Sequence, residues 1–132
     1  MAEKTGEAVV VLITAGSREE AARLADMLVG SRLAACVQIM PEMESVYHWK
    51  GEVQREPEIL LLAKTTQANF AELEREVRLL HSYETPEIVA LPVTSISEPY
   101  LEWLTTTVLK PQRQRRSMQR AAAASAKPQR RV

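Results

Sequence analysis

Residues 33–53, LAACVQIMPEMESVYHWKGEV, decide how this chain folds. The stretch opens in strand character at Leu33, Ala34, Ala35, Cys36, Val37 and Ile39, breaks at Pro41, and resumes at Val46, Tyr47 and Trp49. Proline has no N–H to give a ladder, so the pattern reads as an edge strand with a bulge or as two strand pieces. Lys50-Gly51 is a tight turn. Residues 52–65 return, polar from Glu52 to Glu58 and then ILLLAKT, with Pro57 tolerable only at an edge or bulge. At about 3.3 Å per residue, a strand from about 34 to 49 spans roughly 50 Å. A domain of this size has a radius of gyration of only about 13 Å. The 45–57 ribbon therefore projects beyond its own helices, and a lone two-stranded ribbon is marginal in water. Because it carries Val46, Tyr47, Trp49 and Val53, it needs a surface to lie on, and another subunit is the simplest one.

Outward from the ribbon, residues 8–15 (AVVVLITA) form a β-branched apolar run of strand length. Ser17 opens S-R-E-E with Glu20 three residues on, a capping-box signature, and Ala21, Leu24, Ala25 and Leu28 then share a helical face over about 18–31. A second helix over 67–81 places Phe70, Leu73, Val77 and Leu80 on one face. PEIVALPV, from Pro86 to Val93, is the last strand, and 98–107 a short helix carrying Tyr100, Leu101, Trp103 and Leu104. The order β-α-β-β-α-β plus a C-terminal helix is an α+β, ferredoxin-like split β-α-β arrangement. Right-handed crossovers then put the first and third strands in the centre of the sheet.

The 132 residues suffice for one domain, bounded here as an extension over 1–7, a folded unit over 8–107 and a tail over 108–132. The zero formal net charge conceals a segregation. Residues 1–104 hold nine Lys/Arg against seventeen Asp/Glu, a net of −8, whereas 105–132 hold eight Lys/Arg and no acid. An acidic body argues against nucleic acid as its partner. The tail, KPQRQRRSMQRAAAASAKPQRRV, reads as disordered, either a solvated extension or a basic arm that grazes RNA, anionic lipid or the acidic body of a neighbour. No apolar run is long enough to span a membrane, and MAEKTGEA lacks the apolar core of a secretory signal. With a single cysteine, these features point to the cytoplasm.

Taken together, LAACVQIMPEMESVYHWKGEV, EILLLAKTT, HSYETPEIVALPV and YLEWL resemble the CutA (CutA1, divalent-cation tolerance) family in order and spacing, from about residue 8 to residue 105. The resemblance implies a ferredoxin-like homotrimer similar to the PII signalling proteins, which bind small ligands between subunits. It also implies a role in tolerance of divalent metal ions, with copper or another divalent cation as the candidate ligand and no obligatory cofactor. Copper-binding members are reported to use histidine just ahead of the YE segment and a cysteine near the end of strand one. His81 matches that position, Leu80 occupies the second histidine position, and Ile13 or a neighbour stands where the cysteine falls.

Two residues are metal candidates, each with a plainer reading beside it. Cys36 is a thiolate ligand for a borderline metal or an inert buried thiol. His81 is a ligand or a cation closing the second helix, where it suits the dipole. His48 lies on the opposite ribbon face from Tyr47 and Trp49. A better-defined set is Tyr47, Trp49, Lys64, Glu84, Tyr100 and Trp103, each on a family motif: aromatic walls, one cation and one carboxylate, able to hold a small polar or anionic ligand. The plainer alternative is a structural Lys64–Glu84 pair beneath interface aromatics. No catalytic set and no glycine-rich phosphate loop is visible, so a binding protein rather than an enzyme is expected. The alternative to metal response is a PII-like small-ligand sensor or an interaction scaffold.

Overall fold

The computed structural model describes residues 7–109; the expectations for the N-terminal extension before residue 7 and for the basic segment from 110 onward lie outside the described residues. Strand β1 (Ala8–Ala15) leads into helix α1 (Arg18–Gly30), then strands β2 (Cys36–Ile39), β3 (Met43–Trp49) and β4 (Glu52–Thr66). A 3-10 turn (Gln67–Asn69) precedes helix α2 (Phe70–Leu80), strand β5 (Ile88–Pro92) and helix α3 (Glu98–Thr107). The sheet runs β2-β4-β1-β5 with β3 also on β4, and every pairing is antiparallel. This is the split β-α-β order, a mixed α+β fold with β1 and β4 central.

Pro41 resolves the opening ambiguity in favour of two strand pieces. β2 and β3 pair with the same side of β4, and Met40 N–H still donates to Leu60 O at 2.9 Å as the chain steps across the gap. β1 stops at the Ala15–Ile59 pair, so β4 has a neighbour on one side only at Pro57. A missing donor is harmless there. Beyond Ile59 only the β3–β4 ribbon continues, closing at Lys50 (φ 54°) and Gly51 (φ 82°), both left-handed. That is the primed turn whose twist matches two antiparallel strands. β5 is shorter than the run from Pro86 to Val93, because only Ile88 to Pro92 pair with β1.

Alternation along the central strands sorts the core. Val9, Val11, Ile13, Ile59, Leu61 and Ala63 point to one face and are covered by Leu24, Leu28, Leu73 and Val77 of α1 and α2. α3 packs Leu104 against Ala35 and Val108. The cross-strand rows Val89–Leu12–Leu62 and Leu91–Val10–Lys64 share the other face. There Val10, Leu12, Leu60 and Leu62 are only half-buried, and Val89 and Leu91 are each 45% exposed. No described helix covers this apolar face.

Candidate functional site

Three elements meet where β1 ends: the base of the ribbon, the β1–α1 junction and the loop 81–87 that follows α2. They enclose an open cleft of about 670 Å³ lined by Thr14, Ser45, Val46, Tyr47, Trp49, Glu58 and Ser82–Glu87 without Pro86.

The loop is pinned by two buried residues. His81 closes α2 through its N–H to Val77 O, but its ring is 1% exposed. Nε2 lies 2.7 Å from the carbonyl oxygen of Thr14, and Nδ1 accepts the Tyr83 N–H at 3.0 Å. A carbonyl only accepts and an amide N–H only donates, so these partners assign a neutral ring with the proton on Nε2. The expected helix-closing cation is therefore a neutral strut. Both ring nitrogens of this metal candidate are engaged within the chain. Glu20, 5% exposed, is the second pin. Its N–H donates to Ser17 Oγ at 3.1 Å, half of the capping box, but the carboxylate turns away from the other half. It accepts Ser82 N–H at 2.7 Å, Ser82 Oγ–H at 3.0 Å and Gly16 N–H at 3.3 Å. Burial pushes this carboxyl up; the Ser82 donors and the Gly16 N–H outweigh it and hold the group below the ordinary range.

Tyr83 lies against His81 (ring centroids 4.7 Å apart) and donates its hydroxyl to Glu58 Oε2 at 3.0 Å, while Ser45 donates to Glu58 Oε1 at 2.7 Å. Burial and then the Glu58 carboxylate raise the Tyr83 phenol far above its usual value, so it remains a donor. Gly16 leaves room beneath it, since a Cβ there would sit 3.0 Å from the Tyr83 hydroxyl oxygen and crowd it. Glu87 is pushed up by burial and by the adjacent Glu58 charge. The cleft thus presents Glu58, Glu84 and Glu87 with aromatic Tyr47, Trp49 and Tyr83, and among the described residues no basic side chain lines it.

Within one chain the six expected residues divide. Tyr47, Trp49 and Glu84 share the cleft; Lys64, Tyr100 and Trp103 do not. Lys64 pairs across the sheet with Val10 and the cleft reaches Thr14, four residues along β1 and so about 13 Å away. No Lys64–Glu84 pair forms in the chain; Lys64 Nζ donates instead to Gln38 Oε1. Cys36 is opposite Lys64 in register and half-buried, and the Tyr100 phenol is raised by burial and by Cys36 beside it. Tyr100 and Trp103 form an exposed ring pair with centroids 5.3 Å apart. Among the described residues no three His, Cys, Asp or Glu side chains converge as a metal site; His81 lies at Thr14 and Cys36 opposite Lys64, toward different ends of the sheet.

Sequence reasoning missed Glu58, Tyr83 and Glu87. Glu58 stood at the step from the polar half of β4 into ILLLA, an acid where the strand enters the sheet, and that was the available signal. Within one chain the cleft's described lining is acidic, and Lys64 stands toward the far end of the sheet.

Comparison with known proteins agrees with this architecture. The family model of the CutA1 divalent ion tolerance protein matches residues 9–107. The divalent-cation tolerance protein CutA of Thermus thermophilus is 52% identical over 95 residues, covering 72% of this chain and 92% of that protein. The chloroplastic protein CutA of Arabidopsis thaliana is 46% identical over 101 residues, 76% of this chain but only 56% of that protein, so the chain spans about half the length of that relative. Among solved structures, the Thermus thermophilus Cut A1 protein superposes with a TM-score of 0.76 at 48% identity, covering 77% of this chain and 99% of that one. CutA from Archaeoglobus fulgidus, described as periplasmic, gives 0.75 at 38% identity, with 77% and 99% covered. With the family model matching nearly the whole described chain and relatives at this level of identity, the chain belongs to the CutA1 divalent ion tolerance family.

Proposed function

We propose that this protein serves divalent-cation tolerance as a binding protein, not an enzyme, and that the acidic aromatic cleft is where it recognises cations. One observation carries the reading: among the described residues Glu58, Glu84 and Glu87 line one cleft with no basic side chain beside them, and the Glu87 carboxyl is raised by burial and then by the Glu58 charge. A cation relieves that repulsion, whereas an anion worsens it. Because the carboxylates do not converge as a preformed chelate, a divalent ion held here keeps part of its water shell and binds weakly. Copper is the member of the class that the family resemblance brings forward, and the names of the relatives support divalent cations at large.

The assembly we propose is a homotrimer. The open apolar sheet face and the projecting ribbon, with Trp49 47% and Val53 62% exposed, are surfaces that a second copy covers. In such an assembly Lys64, Tyr100 and Trp103 of one subunit can meet the Tyr47, Trp49 and Glu84 of the next. That supports the second reading, a PII-like intersubunit cleft for a small polar ligand. A cytoplasmic site is proposed from the lone cysteine; the chloroplastic and periplasmic relatives place other members elsewhere. No described helix is long and apolar enough to cross a membrane.

Calorimetric titration of the full chain with Cu(II) and Mg(II) tests the cation reading. Binding that is lost in Glu84→Gln/Glu87→Gln and kept in His81→Gln supports it. Binding that follows His81 instead, or no binding of either ion, overturns it. In the last case a small polar ligand that shields Trp49 from quenchers supports the intersubunit reading.

A further inference from the structure

The loop 82–87 gives the cleft Ser82, Tyr83, Glu84, Thr85 and Glu87, and its attachment is concentrated at one end. Four hydrogen bonds tie it down, all from its first two residues: Ser82 N–H and Oγ–H to Glu20, Tyr83 N–H to His81 Nδ1, and the Tyr83 hydroxyl to Glu58. Three of the four end on Glu20 and His81, two buried side chains whose Oε2 and Nδ1 atoms lie 3.5 Å apart.

The Tyr83 bond needs a bare Nδ1. Histidine is the side chain whose ordinary charge change falls between about pH 5 and 8. On this ring a second proton goes to Nδ1, since Nε2–H already donates to Thr14 O. It turns the acceptor into a donor, which then faces the Tyr83 N–H donor 3.0 Å away. An acceptor for it stands at 3.5 Å in Glu20 Oε2, the same oxygen that takes the Ser82 N–H. One proton thus displaces the Tyr83 amide and competes for the partner of the Ser82 amide. Against burial, the Ser82 and Gly16 donors keep the Glu20 carboxyl below the ordinary range, so it is still ionised where histidine charges.

The surroundings of the ring leave this path open. Helix α1 brings Glu20, the loop brings the Tyr83 ring with Glu58 of β4 behind its hydroxyl, and β1 brings the uncharged Thr14 carbonyl. On the ring's own helix, Arg78 is engaged with Glu74 at 3.7 Å on the exposed side. Of these groups, Glu20 is the charge within ion-pair reach.

We infer that the loop 82–87 is a proton-operated gate on the cleft: neutral His81 keeps it seated through the Tyr83 amide, and a proton taken from solvent at Nδ1 turns the ring to Glu20 and frees it. Glu84 and Glu87 then leave the wall they share with Glu58. The gate belongs to the fold whatever the cleft binds; that it governs cation uptake rests on the cation reading given above.

A titration of the metal-free, nitrogen-labelled full chain from about pH 8 to 5 tests the gate. NMR follows the His81 ring nitrogens together with the hydrogen-exchange protection of the Ser82 and Tyr83 amides, corrected for the intrinsic rate at each pH. As Nδ1 gains its proton, protection is expected to fall about tenfold with the same midpoint, the weight of one hydrogen bond. The fall should vanish in His81→Gln, whose neutral amide can serve both Thr14 O and the Tyr83 N–H. It should persist in His48→Gln, which removes the other, exposed histidine. In Glu20→Gln the charged ring has lost its carboxylate, so the fall moves to lower pH. A ring still neutral at about pH 5, a charged ring with both amides protected, or a fall that survives in His81→Gln overturns the proposal. With no metal in the sample, such a failure leaves the cation reading standing, and a failed Cu(II) and Mg(II) titration leaves the gate.

Discussion

At the residue scale, Glu20 shows how one side chain changes role between sequence and structure. Its spacing from Ser17 announced a helix start, and the Ser17 Oγ contact confirms that much. What the spacing does not encode is that Ser82, sixty-two positions away, claims the carboxylate. Charge-assisted hydrogen bonds to a buried carboxylate contribute about 1.5–3 kcal/mol, so Glu20→Ala should lower unfolding free energy by about that much, measured by urea denaturation at pH 7. The folded-state carboxyl lies below its ordinary 4.5, so the stabilisation is present above that value and is lost as pH falls through the folded pKa. The deficit of Glu20→Ala should accordingly shrink as pH drops below about 4. Glu87 has the opposite sign. Its raised pKa makes the ionised form unfavourable in the fold, so Glu87→Gln should stabilise at pH 7 and lose that advantage in acid. The side chain is largely exposed, so screening holds the gain to about a few tenths of a kcal/mol. For His81, nitrogen NMR should find Nε2 protonated and Nδ1 bare, as its two partners require.

At the element scale, the strands were readable because proline and glycine punctuate them. Pro41 split the edge, Pro57 marked where β4 loses a neighbour, and Lys50-Gly51 gave the turn. Gly51 at φ 82° occupies a region costly for other residues, so Gly51→Val should destabilise by about 1–2 kcal/mol, read as a lowered denaturation midpoint. Periodicity found the faces of α1 and α2 for the same reason: burial there is one-sided. The site was less legible. Motifs named Tyr47, Trp49 and Glu84, but no spacing tells that Lys64 sits four residues of β1 away from the cleft, because that depends on strand register. Glu58 and Tyr83 are joined only by the fold, twenty-five positions apart.

At the scale of the molecule, the open sheet face and the ribbon argue for assembly. Leu12 and Leu62 stand side by side there, flanked by the exposed Val89. Leu62→Glu should convert the assembly to smaller species in sedimentation equilibrium while leaving the helix-covered core intact by circular dichroism. The acidic cleft opens where β1 ends, at the edge of that face. The most direct measurement is a crystal structure of the full chain grown or soaked with Cu(II), with the metal located by its anomalous scattering. The account predicts density within the cleft among Glu58, Glu84 and Glu87, with water completing its shell; density at His81 or Cys36 with an empty cleft would contradict it.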